Sequence, residues 1–160
     1  MVALGDRALK VALAGAGYIS QFHLAGWKAQ PNVEVVAVCD TDLEKARGRA
    51  KEFGVARAYT RFEQMLDREK PDAVDLATSV ESHAALTRCA AERGIHVMVQ
   101  KPMTPTVAEG EALVRDVGDG ARVMVHENFR FRPHYVAVKD WLDAGRIDGL
   151  SEYTIFFRVV

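Results

Sequence analysis

Cysteine is scarce in this chain: Cys39 and Cys89 are the only two, they lie far apart, and neither has a His at a metal-ligand offset. That excludes a disulfide framework or a zinc module and leaves two reduced thiols in apolar surroundings. A charge excess is also missing, since 21 Lys+Arg stand against 22 Asp+Glu and the net charge is -1. Both signs are spread along the chain, so neither nucleic acid nor a membrane surface is an expected partner. No stretch approaches the roughly 18 apolar residues of a membrane helix. The N-terminal Met-Val-Ala-Leu-Gly-Asp-Arg is not a basic region followed by an apolar one, and the expectation is a cytoplasmic protein. Internal repeats and low-complexity tracts are absent too.

What is present is core-forming material. At 160 residues and 49% hydrophobic content the chain can bury one good core with a remnant to spare. Short apolar runs at 10–14, 33–39, 73–77, 95–99 and 122–125 alternate with helical stretches. Continuous apolar runs mean strands buried on both faces, hence a parallel sheet. Thr41-x-x-Glu44, Thr60-x-x-Glu63 and Thr106-x-x-Glu109 fit capping boxes at helix starts, and Gly54, Gly94 and Gly118 stand where helices should stop. The fold class that follows is α/β, a doubly wound parallel sheet with right-handed crossovers, the architecture of dinucleotide-binding Rossmann domains.

After Val125 the pattern changes. Residues 127–133 read as a linker, Pro133 opens a helix with Tyr135, Val138 and Leu142 on one face, and Gly145 ends it. Residues 151–160 then read as one more strand, which is still apolar where the sequence stops. The expected organisation is a domain over 1–126 and, over 127–160, the linker, helix and first strand of an incomplete α+β domain. The lone strand is expected either to pair with another chain, as in a homo-oligomer, or to be poorly ordered.

The chemistry-bearing motif comes early. Lys10-Val-Ala-Leu-Ala14 runs through Gly15-Ala16-Gly17-Tyr18-Ile19-Ser20 into a helical stretch, so strand, glycine turn and helix stand in the order a phosphate loop needs. Gly15 allows the tight turn, Gly17 lets a pyrophosphate approach the backbone, and the N–H groups at Tyr18 and Ile19 face its charge. Ser20 replaces the third glycine and is small enough for close helix-to-strand packing. The second strand ends at Asp40, whose carboxylate can accept hydrogen bonds from the adenosine ribose hydroxyls and would repel a 2′-phosphate. NAD is therefore the expected cofactor, with NADP left open by Lys45 and Arg47 on the next helix. A methyltransferase shares the glycine turn, but its usual acidic residue two positions before the first glycine is Leu13 here.

Three further segments, Val74-Asp-Leu-Ala-Thr78-Ser79-Val-Glu-Ser-His83, Gly94-Ile-His-Val-Met-Val-Gln100-Lys101-Pro102 and Asn128-Phe-Arg130-Phe-Arg-Pro133, fall in the order found in one family. With the glycine loop they resemble the Gfo/Idh/MocA family of NAD(P)-dependent sugar and polyol dehydrogenases, and the likeness spans nearly the whole chain. Gln100 departs from the Glu of the usual Glu-Lys-Pro signature; an amide still hydrogen-bonds but holds no charge.

The resemblance implies that Lys101, at the carboxyl end of a parallel strand, is catalytic and orients a sugar or polyol hydroxyl beside the nicotinamide. It implies cofactor contacts from Gly15, Ala16, Gly17, Tyr18, Ile19, Asp40, Thr78, Ser79, Gln100, Lys101 and Asn128, with His83 either a further contact or a cap. His23, His96, His126 and His134 are expected to be packed or solvated. The basic and aromatic cluster at 129–135 is expected to be an interdomain crossing. Family members carry their proton-transferring Asp and His in the later domain, so this chain by itself is expected to bind dinucleotide and turn over little or nothing. The competing reading is a dinucleotide sensor or scaffold that keeps the fold without the chemistry.

Overall fold

The structure is a computed structural model that describes residues 7–147. Its first strand, β1 (Leu9–Ala14), leads through the glycine turn into α1 (Ser20–Lys28), and β2 (Val33–Cys39) follows with α2 (Leu43–Glu52). A two-residue strand, β3 (Ala58–Tyr59), then precedes α3 (Phe62–Glu69), β4 (Ala73–Leu76) and α4 (Val80–Ala91). The sheet closes with β5 (His96–Gln100), α5 (Val107–Val117) and β6 (Val123–His126). The six strands lie in the order β3-β2-β1-β4-β5-β6 and every neighbouring pair is parallel. This is the doubly wound Rossmann arrangement.

The strand residues alternate between two cores, one on each face of the sheet. Leu13, Val35 and Val38 pack with Leu24 of α1 and Ala50 of α2, whereas Ala12, Ala14, Val74, Leu76, Val97 and Val99 pack with Phe62, Met65 and Leu66 of α3 and Ala90 of α4. Burial on both faces is why the sequence reads as unbroken apolar runs. The edge strand β6 differs from that expectation: with a neighbour on one side only among the described residues, Met124 and Val125 remain 55% and 38% exposed.

Two of the three expected capping boxes are displaced. Asp42, not Thr41, caps α2, its carboxylate accepting the N–H groups of Glu44 at 3.0 Å and Lys45 at 3.3 Å. Thr60 lies too far ahead of the first turn of α3 to reach it, and Arg61 occupies the cap position without a side-chain bond. Thr106 caps α5 as its spacing predicts, accepting the Glu109 N–H. The stops at Gly54, Gly94 and Gly118 all have positive φ, the conformation that ends a helix at low cost with glycine.

The chain divides into two compact units between His126 and Glu127. The described part of the second unit is a 3₁₀ turn over Phe129–Phe131 and α6 (Pro133–Asp143), with Pro133 in its first turn. There the Arg132 guanidinium lies 3.9 Å over the Phe129 ring, and Phe129 stacks on Tyr135. Both of these contacts lie within the second unit. The expected strand at 151–160, and the oligomer built on it, lie outside the described residues.

Candidate dinucleotide site at the crossover

Strand order reverses between β1 and β4, and their chains leave the sheet in opposite directions there, so a crevice must open at their carboxyl ends. A cavity of about 550 Å³ occupies that place. Gly15, Gly17, Asp40, Thr78 and Ser79 line it, together with Arg61 and Glu63 at the start of α3.

The glycine turn is shaped by its neighbours. Gly15 sits at φ 94°, and a Cβ there would stand 2.3 Å from the carbonyl oxygen of Ala77. A Cβ added at Gly17 would meet nothing within 4 Å among the described residues, so that side of its backbone is open to a ligand. Among the described residues nothing engages the N–H groups of Gly17, Tyr18 and Ile19. Ser20 is fully buried and its hydroxyl donates to the Gly17 carbonyl at 2.5 Å, so the small residue in the third glycine position also fastens the turn to α1. Three unengaged donors beside an open glycine at a helix start suit a pyrophosphate.

Asp40 has two duties. One carboxylate oxygen accepts the Ala16 N–H at 2.7 Å and the other the Asp42 N–H at 2.9 Å. The Ala16 amide therefore faces a carboxylate. Each oxygen keeps a lone pair for a ribose hydroxyl. Asp40 and Glu63 also raise the pKa of buried Cys39, but burial itself is the larger cause, and together they push the thiol up to about 11. Lys45 and Arg47 are engaged on their own helix, with Asp42 and Glu44 respectively. Arg49 is the basic residue that reaches the loop, donating to the Gly17 carbonyl at 3.1 Å while pairing with Glu52. No sequence signal singled it out, because the contact joins residues 32 positions apart.

At the ends of β4 and β5, the Ser82 hydroxyl donates to the Ser79 carbonyl at 2.7 Å and stands 2.8 Å from the Thr78 hydroxyl, from which it can accept. His83 is buried, with Nδ1 2.9 Å from the Pro102 carbonyl and Nε2 3.2 Å from that of Thr78. It braces the two strand-end loops and does not line the cavity. Lys101 is exposed at the end of β5, and among the described residues it has no ion pair. Gln100 turns inward to His23 and to the Lys101 amide. Asn128 belongs to the second unit, where its carbonyl accepts the Phe131 N–H. The described residues contain no group of three or more His, Cys, Asp or Glu able to hold a metal, and no helix among them is long and apolar enough to cross a membrane.

Residues 9–129 match the sequence model of the Gfo/Idh/MocA group, an oxidoreductase family with an NAD-binding Rossmann fold. The chain belongs to that family. Among curated Gfo/Idh/MocA relatives, it is 40% identical over 139 residues to D-apiose dehydrogenase from Paraburkholderia graminis, covering 86% of this chain and 37% of that protein. It is 33% identical over 147 residues to an inositol 2-dehydrogenase of Saccharopolyspora erythraea, covering 90% and 44%. An Agrobacterium radiobacter oxidoreductase solved with NAD+, L-tartaric acid and magnesium superposes with a TM-score of 0.82 at 33% identity, over 86% of this chain and 40% of that one. The chain therefore spans less than half the length of these Gfo/Idh/MocA proteins.

Proposed function

We propose that this chain is the cofactor-binding part of an NAD-dependent dehydrogenase whose substrate is a sugar, cyclitol or related polyol. The observation that supports it is the crossover cavity, in which an open Gly17 and unengaged amides stand on one side and the Asp40 carboxylate on the other. Gly17, Tyr18 and Ile19 hold the pyrophosphate through their backbones, and Asp40 takes the adenosine ribose. Thr78 and Ser79 line the cavity from β4. The nicotinamide, when bound, supplies the hydride acceptor. Lys101 orients the substrate hydroxyl, and its positive charge favours an oxygen that gains negative charge as hydride leaves. The substrate class comes from the dehydrogenases named above, and the remainder of the substrate site and the proton acceptor are assigned to a part of the protein beyond this chain.

Calorimetric titration of the chain with NAD and, separately, with NADP tests the reading. NAD should bind and NADP bind at least about tenfold more weakly, the size expected from placing a phosphate against one carboxylate. Equal or tighter NADP binding would overturn the role of Asp40, and no binding of either would overturn the whole proposal. The chain alone should show little or no polyol oxidation.

A further inference from the structure

A line of hydrogen bonds runs from the middle of the sheet to the amide of Lys101, and chemistry sets the direction of every link. The backbone N–H of Lys101 can only donate, and it does so to Oε1 of Gln100 at 2.8 Å. This orients the amide of Gln100, so the atom 3.0 Å from His23 Nε2 is its NH₂ group. An NH₂ group also only donates, so His23 Nε2 presents a lone pair and the ring hydrogen sits on Nδ1. Nδ1 stands 2.9 and 3.0 Å from the two carboxylate oxygens of Asp75, which accept it. Asp75 accepts Trp27 Nε1–H as well, at 2.7 Å. His23 is 4% exposed and Asp75 0%, so a carboxylate in the core is held by two donors from α1. His126 Nδ1 lies 3.1 Å from the same Nε2, its ring edge-on to that of His23.

We infer that Gln100 and His23 are positioning residues for Lys101: Gln100 holds the buried ring in its Nδ1–H tautomer and, braced by it, fixes the amide from which the lysine leaves β5. The inference rests on the proposed role of Lys101. It gives the amide at position 100 a specific task. A glutamate there could still accept the Lys101 N–H, but its second oxygen would face the Nε2 lone pair. With Nδ1–H held by Asp75, the ring would then have to carry a second hydrogen at Nε2. Only a side chain with one acceptor and one donor satisfies both neighbours while the imidazole stays neutral.

The test is ring-nitrogen NMR on the ¹⁵N-labelled chain near neutral pH, without dinucleotide. His23 should show a protonated Nδ1 and an unprotonated Nε2. In Gln100→Glu both nitrogens should become protonated while the Lys101 amide keeps its protection from hydrogen exchange. In Gln100→Ala that amide should exchange about tenfold faster, the effect of one lost hydrogen bond. A protonated Nε2 in the unsubstituted chain overturns the inference, and needs no variant to fold. So do unchanged His23 shifts in Gln100→Glu, or unchanged Lys101 exchange in Gln100→Ala. These readings do not involve cofactor, so failure to bind NAD would sink the proposed function and leave the tautomer result standing.

Discussion

The carboxylate of Asp40, at the end of β2, accepts the backbone N–H of Ala16 at 2.7 Å, tying the second strand to the glycine turn that follows the first. A residue read from its spacing as a ribose ligand is thus also a strut. Asp40→Ala should lower the unfolding free energy by about 1–2 kcal/mol, because two amides lose a charged acceptor. Chemical denaturation reads that loss and calorimetry reads the accompanying loss of NAD affinity. Weaker binding at unchanged stability would mean that the strut contributes nothing.

The two glycines of the turn should respond differently to the same substitution. Gly15→Ala puts a methyl against the Ala77 carbonyl in a backbone conformation that alanine rarely adopts, and should cost about 3 kcal/mol or more. Gly17→Ala meets open space, so stability should change by less than about 0.5 kcal/mol. Its methyl would occupy the approach proposed for the pyrophosphate, so dinucleotide affinity should fall sharply. Thermal melts paired with titrations separate the two effects.

Thr87, wholly buried on α4, has a hydroxyl with no hydrogen-bond partner among the described residues. Thr87→Val keeps the shape and removes the unsatisfied group, and should stabilise the chain by about 1 kcal/mol. Thr87→Ala should not, since it leaves a gap. A rise in melting temperature for valine alone checks the argument.

Cys39 gives a pH dependence. Its folded-state pKa is raised from 9.0 to about 11, chiefly by burial, so the folded chain keeps the thiol protonated after the unfolded chain has ionised. The contribution is fully present below about pH 9 and is lost as pH rises through about 11, a change of roughly 2–3 kcal/mol. Stability measured across that window should fall further for the unsubstituted chain than for Cys39→Ala. Parallel curves would refute it.

Much of the architecture was legible because it depends on short-range pattern. β2 stands at its expected bounds, β1 within one residue of them, and glycines end the helices, since buried parallel strands and helix stops leave local marks. β3 was not legible: two residues carry no period. The displaced cap of α2 and the missing side-chain cap of α3 show the other limit, because a one-residue shift in where the backbone turns decides which side chain can cap.

The site divides along the same line. That Gly15, Gly17 and Asp40 come together around one cavity could be read from the sequence, because turn, loop and acidic strand end fall within one βαβ unit, where spacing dictates geometry. The tertiary structure alone decided that Arg49 reaches the loop and that His83 braces Thr78 against Pro102. It alone decided that His23, expected to be packed or solvated, joins Asp75 to Gln100 across separations of 52 and 77 residues. Asp75 stands inside an apolar run and Gln100 at the end of another, and only their placement on neighbouring strands beneath α1 brings them to the same ring. Local chemistry determines the glycine turn; which distant groups share a hydrogen depends on how sheet and helix pack.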